Sequence, residues 1–138
     1  MPIVPLICGH SQYLFYSLQS DLIELCQKTT QTDLKTVTLK WDPRPTLGVV
    51  LAAAGYPATY ATGAEIHGLQ TQLPNCKVFQ AGTCTKNNKT LTNGGRVLCV
   101  TAIADNLKAA QTLAYEQVQA INWEGMFYRA DIGFKAIK

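Results

Sequence analysis

The chain has 138 residues, enough for one domain or a small domain with a helical extension. Hydrophobic residues make up 47% and charged residues 15%, a balance that supports a packed core and excludes a disordered chain. The net charge of +3 is spread along the sequence with no basic, aromatic-rich stripe, and no apolar run nears the roughly 20 residues of a membrane span, so neither a nucleic-acid surface nor a membrane segment is expected.

The first residues carry two prolines and no basic leader, unlike a secretory signal. Ser11 is placed to cap a helix running to about Thr29, with Leu14, Leu18, Leu22 and Leu25 near helical spacing and Asp21 and Glu24 as outward charges. The polar stop at 29–33 separates this lead-in from the rest. Val37, Leu39 and Trp41 alternate with polar residues as a half-exposed strand over 36–41, and Asp42-Pro-Arg-Pro45 turns the chain. A strongly apolar strand follows over 46–54, then a loop over 58–75 and a short strand over 77–80.

Residues 96–104 are apolar on both alternating faces, the mark of a central, covered strand. Asn93, Gly94 and Gly95 before it suggest a tight hairpin from 89–92 into 96–104, with the glycines at positive φ. Such a turn either serves only to reverse the chain, leaving Arg96 a solvated charge, or brings backbone and the planar fork of Arg96 to a phosphate or carboxylate. Asp105 is placed to cap an amphipathic helix to about Asn122, with Leu107, Ala110, Ala114, Val118 and Ile121 on one face. An aromatic segment over 123–129 follows, and Phe134 and Ile137 are expected to pin the tail. The pattern predicts an α+β fold with a mostly antiparallel sheet and one packed amphipathic helix.

Catalytic machinery is sparse. His10 and His67 adjoin no nucleophile in sequence, and a pairing of His67 with Cys76 or Cys84 requires folding to bring them together. The five cysteines include no C-x-x-C pair; Cys26 and Cys99 are expected in the core, and all are expected as free thiols in a reducing cytoplasm. No phosphate-cradling glycine motif and no paired carboxylate suited to magnesium is seen, so no catalytic and no metal residue is assigned.

Six segments in order carry a resemblance: Gln19-Ser-Asp-Leu-Ile-Glu-Leu-Cys26, Trp41-Asp-Pro-Arg-Pro45, Gly48-Val-Val-Leu-Ala-Ala-Ala-Gly-Tyr-Pro57, Val78-Phe-Gln-Ala-Gly-Thr83, Thr92-Asn-Gly-Gly-Arg-Val-Leu98 and Gly125-Met-Phe-Tyr-Arg-Ala-Asp-Ile-Gly133. From about Ser17 onward the chain closely resembles the C-terminal part of the phosphoribosylamine–glycine ligase family, ATP-grasp enzymes of purine biosynthesis. That family activates glycine as an acyl phosphate, which the amine of phosphoribosylamine attacks. The resemblance implies that residues 46–138 form the small C-terminal domain. Residues 1–45 then combine a divergent start with the helix and strand that end the ATP-grasp. It implies too that Asn93, Gly94, Gly95 and Arg96 face the substrate cleft.

There are departures. The family's R-F-G-D-P-E-x-Q stretch is Leu6-Ile-Cys-Gly-His-Ser-Gln12 here, with only Gly9 and Gln12 retained, and the His of its H-A-G-T segment is Gln80. The family's ATP and magnesium ligands lie ahead of that stretch, so no cofactor is expected on this chain, and activity alone is not expected. Residues 1–16 read as a new start on a truncated frame or the trace of a frameshift. The expected partner is the missing N-terminal and ATP-grasp portion, or a second copy covering the surface which that portion leaves open.

Overall fold

At the centre of the main sheet runs β5 (Arg96–Ile103), hydrogen-bonded on one side to β1 (Thr46–Ala53) and on the other to β2 (Cys76–Gln80), both antiparallel. The structure, a computed structural model, describes residues 12–30 and 37–137. A short strand, β6 (Met126–Tyr128), adds to the outer edge of β1, giving the order β2-β5-β1-β6. The α+β class with a mostly antiparallel sheet is as the sequence predicts.

Both faces of β5 are covered, which is why its residues are apolar on both. Leu47, Val49 and Leu51 of β1 and Leu98, Val100 and Ala102 of β5 lie opposite one another and join one core cluster. Over that face packs α3 (Leu107–Gln119), inserting Ala110, Ala114 and Val118, with Ile121 and Trp123 just beyond it. Each large side chain so buried contributes about 1.5–3 kcal/mol. The opposite face carries Cys99, Thr101 and Ile103, all 4% exposed or less. There lies α1 (Gln12–Ser17): its Tyr16 meets Phe79 edge-on at 6.3 Å, and Phe79 pairs with Cys99.

The predicted hairpin from 89–92 into 96–104 does not form. Instead β4 (Lys89–Thr92) pairs with β3 (Thr83–Lys86) in a separate two-stranded sheet. The turn between them is Asn87-Asn88, with φ of 51° and 59°, whereas Gly94 and Gly95 are not at positive φ. Asparagine tolerates the left-handed region, so this pair makes the two-residue turn that the glycines were expected to make. The far edge of β4 is covered by the loop, through Ile66 N–H to Thr90 O at 2.9 Å and Thr92 N–H to Ala64 O at 2.8 Å.

Other expectations also change. The lead-in is two helices, α1 and α2 (Leu22–Thr30), because Gln19 N–H turns away to Lys40 O and Asp21 restarts the helix. Asp21 Oδ1 accepts from the backbone N–H of Ile23 and Glu24, so it is a cap and not a mid-helix charge. Residues 37–40 form no strand, and Trp41 makes only an isolated bridge to Leu18. The cap of α3 is Asn106, whose side chain accepts from Ala109 N–H at 2.8 Å, not Asp105, and the helix stops at Gln119. Cys26 is exposed, not core, and of the two residues expected to pin the tail Phe134 is 54% exposed while Ile137 is half-buried. Cys8, Gly9, His10 and the Ser11 cap lie outside the described residues.

Candidate functional site

Four strand ends meet at one end of the main sheet: the close of β1, the start of β5, the close of β2 and the start of β6. The loop 93–96 crosses this end, carrying the chain from the small sheet into β5. It is held on both sides by backbone bonds. Asn93 N–H donates to Gly82 O at 2.7 Å, Gly82 N–H to Arg96 O at 2.9 Å and Ala53 N–H to Gly95 O at 2.8 Å. Such a loop is preorganised and needs little ordering on binding.

The glycines serve close approach. A Cβ on Gly82 would stand 2.8 Å from Gly94 Cα and 2.7 Å from Arg96 O, so the two chains touch backbone to backbone. A Cβ on Gly95 would stand 2.2 Å from Tyr56 Cδ2 and 2.9 Å from Tyr60 Cε1. Gly95 is therefore buried beneath two tyrosine rings of the same chain, while Asn93 and Arg96 are exposed and Gly94 is half-buried. Of the four residues singled out from sequence, the two with polar side chains face solvent, and Gly95 supports them from below.

A register shift between Leu51 and Ala52 sets where Arg96 points. Leu51 pairs with Leu98, but Ala52 pairs with Arg96, so Val97 is the extra residue of a bulge. Val97 and Leu98 consequently both enter the core cluster, and Arg96 turns to the other face. Ala52 also pairs with Phe127 of β6, placing Arg96, Ala52 and Phe127 in a row across three strands. Phe127 is 52% exposed. Beside it an open depression of about 310 Å³ is lined by Ala54, Gly55, Tyr56, Gly125, Met126 and Phe127. Tyr56 thus borders the depression and roofs Gly95. Neither Tyr56 nor Phe127 is signalled as a site residue by spacing; the register brings Phe127 into line with Arg96, and the turn after β1 folds Tyr56 over Gly95.

The described ion pairs are Lys28 with Glu24, Arg44 with Asp42, Lys89 with Glu65 and Arg129 with Asp131, and Arg96 is in none of them. A guanidinium at a fixed, exposed position can take a phosphate or carboxylate in bidentate fashion. The same pairs bear on magnesium. Arg44 beside Asp42 holds that carboxyl down at about 2, and the cations beside Glu65 and Asp131 hold theirs below the ordinary range. These carboxylates are spoken for, and among the described residues no group of three or more His, Cys, Asp or Glu converges. Among the described residues the donor set does not fit a magnesium–nucleotide site.

The cysteine–histidine pairing fails for Cys76. Its thiol is buried under α3, with Sγ 3.7 Å from Leu113 O, and burial pushes it up to about 11. His67 is exposed on the loop, where its backbone bridges Asn122. Cys84 is half-buried within β3. Gln80 accepts from Thr83 Oγ1 at 2.9 Å.

Comparison with known proteins now bears on this geometry. Residues 46–135 match the family described as phosphoribosylglycinamide synthetase, C domain. The chain is 51% identical over 129 residues to a phosphoribosylamine–glycine ligase of Yersinia pestis, covering 92% of this chain and 30% of that protein. It is 52% identical over 128 residues to that of Vibrio cholerae, with the same coverage. Among solved structures, the phosphoribosylamine–glycine ligase of Thermotoga maritima superposes with a TM-score of 0.56 at 38% identity, covering 62% of this chain and 21% of that one. The chain therefore spans about 30% of the length of the curated relatives it matches.

Proposed function

The chain belongs to the phosphoribosylglycinamide synthetase C-domain family, and from that we propose that it supplies the C-terminal part of a phosphoribosylamine–glycine ligase. The reaction joins glycine to phosphoribosylamine at the expense of ATP. In this reading the chain is silent alone, because the groups that hold ATP and magnesium belong to the rest of the enzyme. Residues 12–45 then belong to the region ahead of the C domain. Asn93 and Arg96 contribute to the cleft, Gly94 and Gly95 shape the loop, and the Arg96 guanidinium takes the phosphate of the ribosyl substrate or a carboxylate.

The observation that supports this is the exposed Arg96, outside every described ion pair, on a loop held by backbone bonds on both sides. The direct test mixes the full chain with the part of the Yersinia pestis relative outside the matched segment, and measures glycine-dependent ADP release. Neither polypeptide alone should release ADP; the mixture should. Arg96→Ala should lower the kcat/KM of the mixture by about 10- to 100-fold, the worth of a charge-assisted hydrogen-bond pair. Its melting temperature should not change, because Arg96 is exposed at the start of β5. ADP release by the chain alone, or no loss on Arg96→Ala, would reject the assignment.

A second reading, a non-catalytic module that associates with itself, draws on the exposed apolar side chains of α2, of which none is buried. Sedimentation of the purified chain separates the two, since only this reading expects a dimer.

A further inference from the structure

Of the six asparagines, Asn75, Asn87, Asn88, Asn93, Asn106 and Asn122, only Asn93 is followed by a glycine. An asparagine side chain is open to attack by the backbone nitrogen of the next residue, and a glycine there has no Cβ to hinder the approach. The local structure leaves both reacting groups free. Asn93 is exposed and lies outside every strand and helix, and among the described residues its side-chain amide has no hydrogen-bond partner. Gly94 N–H likewise donates in none of the described backbone bonds of this loop, whose donors are Asn93, Gly82 and Ala53. The other asparagines differ. Asn106 has its side chain committed to Ala109 N–H at 2.8 Å, and Asn87 and Asn88, as exposed as Asn93, precede Asn88 and Lys89.

We propose that Asn93 modifies itself: the Gly94 nitrogen closes a succinimide on its side chain, and water reopens the ring to aspartate and isoaspartate beside Arg96. The inference does not depend on the ligase reading. The Gly94 nitrogen bonds to Asn93 Cγ and the Cγ–Nδ2 bond breaks, the proton of the Gly94 N–H leaving with Nδ2 as ammonia. Water then adds at one of the two ring carbonyls. Addition at Cγ breaks the new bond and gives aspartate on an unaltered main chain. Addition at the backbone carbonyl breaks the original peptide bond, and the chain then runs through Cγ with one more carbon in its path. Either product adds a carboxylate three residues from Arg96. Gly82 holds the two positions together, accepting from Asn93 N–H at 2.7 Å and donating to Arg96 O at 2.9 Å. A negative charge so placed weakens the pull of the guanidinium on an outside anion. The isoaspartyl chain, in addition, no longer fits. The loop is tied at Gly82 and again at Gly95, whose carbonyl accepts from Ala53 N–H at 2.8 Å, and Gly94 lies against Gly82, so an extra carbon between the ties displaces them.

The test incubates the full chain at pH 8 and maps its tryptic peptides by mass spectrometry. Trypsin cuts after Lys89 and Arg96, so the peptide 90–96 carries Asn93 as its one asparagine. That peptide should gain the mass of an amide turned to an acid at least about tenfold faster than the peptides holding Asn75 or the Asn87–Asn88 turn, because only Gly94 offers an unhindered nitrogen. It should appear as two products, and Asn93→Gln should show neither, since its longer side chain closes the larger ring poorly. Asn93→Asp carries the charge without the extra carbon. Its Gly82 amide should exchange as in the fresh chain, whereas in the isoaspartyl fraction that amide should exchange at least about tenfold faster. The new carboxyl of Asn93→Asp should titrate lower than the same carboxyl combined with Arg96→Ala. An unchanged 90–96 peptide, equal conversion at all exposed asparagines, or aspartate without isoaspartate would overturn the modification. Unaltered Gly82 exchange in the isoaspartyl fraction would overturn the loosening of the loop, and equal titration with and without Arg96 would overturn its effect on the guanidinium. None of these readouts uses ADP release, so a mixture that releases none rejects the ligase reading and leaves the modification standing.

Discussion

At Gly95 conformation and packing come apart. A glycine pair between two extended segments suggests positive φ, yet the left-handed residues of this region are Asn87 and Asn88. What Gly95 supplies is the absence of a side chain beneath Tyr56 and Tyr60, whose rings are 6.1 Å apart. Gly95→Ala should therefore destabilise by overpacking, by about 1–3 kcal/mol in urea unfolding. Tyr56→Ala opens that space, so the double variant should be less destabilised than the sum of the singles, with a coupling above about 0.5 kcal/mol. Strict additivity would show that the ring is not what the new methyl meets. The site's legibility follows the same division. Arg96 and Asn93 can be picked out as polar residues beside a loop, but Phe127 becomes a neighbour only through strand register and the tyrosine roof only through the fold of the turn after β1, neither of which local spacing encodes.

Among the elements, one side chain of α3 anchors the part of the long loop that leads into β2. Gln117 is fully buried; its Oε1 accepts from Leu73 N–H at 2.7 Å and its Nε2 donates to Thr71 O at 2.7 Å. Both halves of the amide are thus used on the loop backbone, which explains a polar residue at a core position. Gln117→Leu keeps the volume and removes both bonds, and should cost about 1–3 kcal/mol. Exchange of the Leu73 amide should speed up more than that of the Val100 amide in β5; equal changes at both would mean the bonds do not anchor the loop. The strands β1 and β5 were legible as apolar runs, β2 as a short segment between turns, and the helix α3 by its helical hydrophobic period. The three-residue β6 was not, since its pairing with β1 is what makes it a strand. Nor was the β3–β4 hairpin, where two asparagines prevailed over two glycines. The alternation over 36–41 was misleading for the converse reason: Leu39 stays exposed, and among the described residues 37–41 pair only through the isolated Trp41–Leu18 bridge.

Across the whole molecule, residues 37–45 connect the helical lead-in to the sheet, and the turn at Asp42 fastens that connection. Asp42 N–H donates to Ser17 O at 2.8 Å, tying the turn to α1, while its carboxylate grips the Arg44 side chain through contacts of 2.7–3.3 Å and accepts from the Arg44 N–H at 3.0 Å. Those hydrogen bonds, the side-chain ones foremost, lower the Asp42 carboxyl from 3.8 to about 2. Only 13% of the Asp42 side chain is exposed, but burial would raise a carboxyl, so the hydrogen bonds to Arg44 and not burial set the downward shift. A carboxyl whose folded value is depressed stabilises the fold above its unfolded value, and that contribution fades as pH falls through the folded value. The melting temperature of the unaltered chain should therefore exceed that of Asp42→Asn by a small, constant margin from pH 5 to 7. The margin should close between about pH 4 and pH 2, the interval between the ordinary and the folded value. A margin unchanged at pH 2 would show that the turn is held by its backbone bonds alone. A margin already closed at pH 5 would place the carboxylate out of reach of Arg44, and the lead-in helices would then lack this fastening to the sheet.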